Sequence, residues 1–156
     1  MDKRYQSLLT AVFLVAGSGT RISKLTKNPK CLLKIKNKTL IELNIEKLIK
    51  FGVKNFIIVM GFKKKLIIDH IKTLKNEKKI NIKYIDNKSY ISKGNSHSLF
   101  LGLKSMKGGP CIFLDGDIIL HSDILKKFIV FNKKNSALVG KGSIKDIECA
   151  KVFINK

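Results

Sequence analysis

The spacing of apolar positions changes from stretch to stretch along the chain, and each change marks a new element. Residues 11–16 form a short continuous apolar run that stops at Gly17, which predicts a buried strand. Residues 55–60, rich in β-branched side chains and ended by Gly61, predict a second buried strand, and 111–114 a third. Residues 80–85 alternate apolar and polar, as a half-buried strand does. Between these runs the period is helical. Leu40, Leu43, Ile45, Leu48 and Ile49 lie on a helix that starts at a capping box, Thr39-Leu40-Ile41-Glu42, runs to Phe51 and stops at Gly52. Leu66, Ile67, Ile71 and Leu74 fall on one side of a helix over 63–74, and Leu99, Phe100, Leu103 and Met106 point inward from a helix that opens at Asn95-Ser96. Residues 31–35 read as a short extended piece followed by a turn at Asn37-Lys38. Ser122-Asp123 caps a further helix through Phe131, and 136–139 and 151–154 read as late strands.

Strand and helix therefore alternate. The expected fold class is α/β: a Rossmann-like three-layer α/β/α arrangement with a mainly parallel sheet and helices on both faces. With no internal repeat, linker or low-complexity tract, residues 1–156 are expected to form one domain, the first nine residues serving as an N-terminal extension.

The chemistry concentrates where strands end. The first strand runs into Gly17-Ser18-Gly19-Thr20-Arg21, and Pro29-Lys30 follow shortly after. Glycines let backbone N–H groups approach phosphate oxygens, Arg21 offers a forked donor and Lys30 a point charge. The loop is not a Walker A motif, since no Gly-Lys-Ser/Thr follows at the required spacing. Nor is it a full dinucleotide fingerprint, because Ile22 stands where the third glycine belongs. The third strand ends in Asp115-Gly116-Asp117. Asp and Gly also favour plain turns, but both loops follow parallel strands and so can face one crevice. Amide donors and cations on one side and carboxylates on the other suit Mg²⁺-assisted chemistry on a nucleoside triphosphate. The start of the helix at Asn95 is a second candidate site for an anion or base. His70, alone on its helix, reads as a surface or boundary residue.

Composition adjusts this picture. The net charge is +21, yet of 32 lysines and arginines all but Arg4 and Arg21 are lysine, spread along the chain. With no arginine-rich, groove-entering element, that is a lysine-coated surface rather than a nucleic-acid reader. Cys31, Cys111 and Cys149 have no metal or redox spacing and read as reduced buried thiols. No apolar run reaches the roughly 18–20 residues of a membrane span, and the first apolar run leads straight into the glycine loop, so neither a span nor a signal peptide is expected and the location is taken as cytoplasmic.

Taken together, Leu14-x-Ala16-Gly17-x-Gly19-Thr20-Arg21, Pro29-Lys30 and Leu114-x-Gly116-Asp117 resemble the nucleotidyltransferase (sugar nucleotide pyrophosphorylase) superfamily. Asn87-x-x-Tyr90, then Gly94-Asn95-x-x-Ser98-Leu99-x-Leu101, and Glu148-x-Ala150-Lys151-Val152 resemble its phosphocholine cytidylyltransferase branch. The resemblance implies transfer of CMP from CTP to a small phosphorylated acceptor such as phosphocholine or a related phosphoamine or phosphonate, with release of pyrophosphate, in the synthesis of cell-surface polysaccharide or lipid headgroups. It implies that Ala16, Gly17, Ser18, Gly19 and Thr20 wrap the nucleotide, that Arg21 binds the β/γ-phosphates and that Lys30 stabilises charge at the α-phosphate or the incoming phosphate. Asn87, Asn95 and Ser98 would contact base and ribose, and Asp117, with Asp115 nearby, would bind Mg²⁺. Members of the family are considerably longer, so the resemblance implies that the C-terminal part, with a second acidic ligand and much of the acceptor pocket, is missing. Two other readings compete: a sugar-1-phosphate nucleotidyltransferase using UTP, GTP or dTTP, and a non-catalytic remnant that binds nucleotide or nucleic acid.

Overall fold

A computed structural model describes residues 8–130, with side chains to residue 127. The main sheet is built from β1 (Thr10–Val15), β4 (Asn55–Met60), β5 (Asn81–Asp86) and β6 (Cys111–Asp115), in the order β5-β4-β1-β6 with every pair parallel. Each crossover between these strands carries a helix: α1 (Leu40–Lys50), α2 (Lys64–Lys78) and α3 (Asn95–Lys104), with α4 (Ser122–Val130) after β6. The chain adds strands outward from β1 to β5, then returns to the other side of β1 for β6. The reversal lies between β1 and β6, where open α/β sheets bind ligands beyond the strand carboxyl ends. The α/β class with a mainly parallel sheet is as the periodicity predicts.

Alternation along the strands makes two apolar layers. Ala11, Phe13 and Val15 of β1 share the larger core with Phe56, Ile58, Met60, Ile112 and Leu114, and with Ile41, Ile45 and Leu48 of α1 and Ile67, Ile71 and Leu74 of α2. Phe13 and Phe56 stack with centroids 6.5 Å apart. On the opposite face Val12, Ile57 and Val59 form a smaller layer with Leu101 of α3 and Met106. The capping box of α1 forms as expected: Glu42 N–H donates to Thr39 Oγ1 and Thr39 N–H to Glu42 Oε2, each at 3.3 Å. Thr39 Oγ1 also lies 2.9 Å from His70 Nε2, so the half-buried His70 is a structural tie between α2 and the start of α1.

Several expectations are corrected. Residues 31–35 are not a single extended piece. Lys30–Leu32 is a 3₁₀ turn, after which β2 (Lys34–Ile35) and β3 (Lys38–Thr39) make a small antiparallel hairpin with Lys36 at φ 55°. The backbone bonds from Leu32 N–H to Pro29 O and from Leu33 N–H to Lys30 O hold the turn, and these outweigh the local strand propensity. Helix α2 runs on to Lys78 through polar residues that carry no apolar signal. Phe100 and Leu103 are exposed rather than inward, and Leu66 is exposed while Ile67, Ile71 and Leu74 on its helix are buried. In α3 the sheet-facing positions belong to small residues, Ser98 and Gly102, so the helix packs close and its larger side chains flank the contact. Strand β6 is buried on one face only: Ile112 and Leu114 face the core, while Phe113 is 55% exposed because α3 lies over β1 and β4. The late strands at 136–139 and 151–154, and the branch-like segment around Glu148, lie outside the described residues. Among the described residues no helix is long and apolar enough to cross a membrane.

Candidate active site

The glycine loop and the acidic loop meet. Gly17, Ser18, Gly19, Thr20, Arg21 and Lys30 line one cleft of about 310 Å³ with Asn95, Asp115, Gly116 and Asp117, and Tyr90 contributes an aromatic wall. Parallel pairing of β1 with β6, in which Leu14 opposes Asp115, puts the two loops side by side although 87 residues separate Lys30 from Asp117.

Two glycines make this geometry possible. Gly19 adopts φ +67°, and a Cβ there would sit 3.0 Å from Lys30 Cγ; the lysine stem thus runs directly over the glycine turn. Gly116 lets the acidic loop lie against the end of β1, since a Cβ there would fall 2.2 Å from Val15 Cγ1. Lys30 Nζ then reaches Asp117 Oδ2 at 3.2 Å, and Asn95 Nδ2, in the first turn of α3, donates to Asp115 Oδ1 at 3.1 Å.

Three of the residues singled out from sequence sit beneath the cleft rather than on it. Ala16 is buried, and its carbonyl accepts from Phe62 N–H at 3.0 Å. Asn87 and Ser98 are buried and bonded to each other, Asn87 Nδ2 donating to Ser98 Oγ at 2.9 Å. A residue the sequence reading passed over supports the acidic loop: Asn44 of α1, 2% exposed, donates from Nδ2 to the carbonyl of Ile118 at 2.7 Å. A polar residue within the buried stripe Leu40, Ile41, Asn44, Ile45, Leu48 is the signal that could have found it. Lys47 reinforces the same segment through the carbonyl of Leu120, at 2.6 Å.

Burial, and then the charge of Asp117, hold the Asp115 carboxyl above its usual range. Burial pushes the Cys31 thiol up to about 12, with a smaller upward contribution from Asp117, so Cys31 is a neutral floor to the cleft and no nucleophile. The two neighbouring carboxylates are hard oxygen donors of the kind a divalent cation neutralises. Among the described residues no three His, Cys, Asp or Glu side chains gather around one point. A pair of carboxylates fits Mg²⁺, which is commonly held by one or two carboxylates with the remaining ligands from phosphate and water.

Residues 10–150 match the family model described as nucleotidyl transferase, and the chain belongs to that family. It is 38% identical over 119 residues to the bifunctional protein GlmU of Methanococcus vannielii, covering 76% of this chain and 27% of that protein. It is 35% identical over 119 residues to the choline-phosphate cytidylyltransferase of Streptococcus pneumoniae, covering 76% of this chain and 48% of that one. Among solved structures, a UDP-glucose pyrophosphorylase complexed with UDP-glucose superposes with a TM-score of 0.66 at 26% identity, over 80% of this chain and 52% of the other. The chain thus spans about a quarter to a half of the length of these relatives.

Proposed function

We propose that the protein is a nucleotidyltransferase that moves CMP from CTP to a small phosphorylated acceptor, such as phosphocholine or a related phosphoamine or phosphonate, and releases pyrophosphate. The observation that carries this reading is the joining of a phosphate-type loop and a metal-type loop in one cleft, with Lys30 and Asp117 3.2 Å apart. The similarity to a choline-phosphate cytidylyltransferase supports CTP and the acceptor class.

In this reading the backbone from Gly17 to Thr20 cradles the triphosphate, and Arg21 takes β- and γ-phosphate oxygens in its fork. An oxygen of the acceptor phosphate attacks the α-phosphorus in line; the bond from that phosphorus to the oxygen bridging to the β-phosphate breaks, and pyrophosphate leaves. Lys30 balances the charge that builds at the α-phosphate or on the incoming phosphate. Asp117 and Asp115 would hold Mg²⁺, which when bound supplies charge neutralisation at the phosphates. Asn95 orients Asp115 and faces the nucleotide, and Asn87 and Ser98 fix the wall that carries Tyr90. Catalysis is positioning and electrostatics, with no covalent intermediate on the protein.

Acceptor-dependent release of pyrophosphate from CTP tests the reading. Release with phosphocholine or a related phosphoamine is expected. Absence of release with every nucleotide and acceptor, including in a C-terminally extended chain, contradicts it. A second reading, transfer to a sugar 1-phosphate from UTP, GTP or dTTP, is favoured by the likeness to a UDP-glucose pyrophosphorylase. Thermal melting with each nucleoside triphosphate separates the two, because the nucleotide that binds best raises the melting temperature most.

A further inference from the structure

The cation that would take phosphate and the carboxylate that would take the metal ion are bonded to each other. Lys30 Nζ is 3.2 Å from Asp117 Oδ2, with the lysine side chain 23% and the aspartate 43% exposed. The direction of the lysine is set by the fold: its stem crosses Gly19, where even a methyl group would crowd it. Asp115, two residues away, is engaged separately by Asn95. Among the described residues, the side-chain partner of Lys30 is thus the loop that would bind the metal.

We propose that the Lys30–Asp117 pair is a latch that couples uptake of the triphosphate to uptake of the divalent cation; this rests on the nucleotidyl-transfer reading above. While the latch is closed, a metal-free triphosphate must compete with Asp117 for Lys30, and a bare cation must compete with Lys30 for Asp117. A metal–triphosphate complex meets neither obstacle, because it brings an anion for the lysine and a cation for the aspartate in one step. The charges exchange partners and none is left unpaired in the cleft. A pair this exposed is weak, so the latch sets a severalfold preference and not an absolute block.

Titration calorimetry with metal-free CTP, in the presence of EDTA, tests the latch on four proteins: wild type, Asp117→Ala, Lys30→Gln and the double variant. Asp117→Ala is expected to tighten metal-free CTP about threefold or more, the scale of a half-exposed pair. In the Lys30→Gln background the same substitution is expected to change nothing, because no cation is there to be released. An equal gain in both backgrounds would assign the effect to repulsion between Asp117 and phosphate, and would overturn the latch. No gain in either background overturns it too. If wild type binds no nucleoside triphosphate even with Mg²⁺, the nucleotidyl-transfer reading fails and the latch fails with it. Thermal melts of the four proteins establish that each is folded.

Discussion

The side-chain amide of Asn87 donates to the hydroxyl of Ser98 at 2.9 Å, with both residues buried, and this bond ties the end of β5 to the first turn of α3. Asn87 is satisfied on every side. Its N–H donates to Met60 O at 2.7 Å, its carbonyl accepts from Tyr90 N–H at 3.3 Å, and its Oδ1 accepts from Ser89 N–H at 3.0 Å. The turn that presents Tyr90 to the cleft is therefore assembled around one buried amide. Asn87→Ala leaves Ser98 and the Ser89 amide without a partner, a loss of about 1–3 kcal/mol. A drop of several degrees in melting temperature is expected; an unchanged melt would show that the amide does not organise this corner.

The two glycines of the phosphate-type loop should behave differently. No atom lies within 4 Å of a Cβ at Gly17, whereas at Gly19 the backbone is left-handed and the Lys30 stem is in the way. Gly17→Ala is expected to leave the melting temperature unchanged while weakening CTP binding, since its methyl enters the space given to phosphate. Gly19→Ala is expected to lower both, with a stability loss of about 1 kcal/mol or more. Parallel melts and calorimetric titrations check this. Equal stability of the two variants would contradict the placement of Lys30 over Gly19.

Asn44→Leu removes the donor that holds the Ile118 carbonyl and puts a larger apolar group against the acidic loop. The expected result is a loss of about 1–3 kcal/mol in urea denaturation together with weaker Mn²⁺ binding in the presence of nucleotide. A fully stable variant with wild-type Mn²⁺ affinity would remove Asn44 as a support of that loop.

Cys31 makes a pH-dependent prediction. Its folded pKa of about 12 lies above the ordinary value of 9.0, so the folded state keeps a proton that the unfolded state gives up. The stability this contributes is complete below about pH 9.0 and falls away as the pH rises toward 12. The difference in denaturation midpoint between wild type and Cys31→Ala should therefore shrink as the pH is raised past 9.0. A difference that stays constant or grows would contradict the burial of the thiol. At neutral pH the Cys31 peptide should also escape alkylation in the native protein.

Much of this architecture was legible in the residues themselves. Periodicity placed β1, β4, β5 and β6, and the capping box at Thr39 and Glu42 forms atom for atom as its spacing implies. The adjacency of the two loops followed from a general property of parallel sheets, that ligand loops collect beyond the strand carboxyl ends. What was not legible depends on tertiary packing. Phe100 and Phe113 are as apolar as any core residue; the close approach of α3 at Ser98 and Gly102 leaves Phe100 outside, and the seating of α3 over β1 and β4 leaves Phe113 exposed. Asn87 and Ser98 belong to a sequence pattern that suggests ligand contact, yet they lie one layer below the cleft. The Lys30–Asp117 bond spans 87 residues and has no local signature.

The most direct test of nucleotidyl transfer follows the α-phosphorus. CTP labelled at that atom is incubated with the protein, Mg²⁺ and phosphocholine or a related phosphoamine, and the products are separated. The account predicts that the label moves into a cytidine diphosphate ester of the acceptor, that unlabelled pyrophosphate accumulates in equal amount, and that Arg21→Ala and Asp117→Ala abolish both. Label that stays in CTP with every acceptor, or a product that forms undiminished in those two variants, would contradict it.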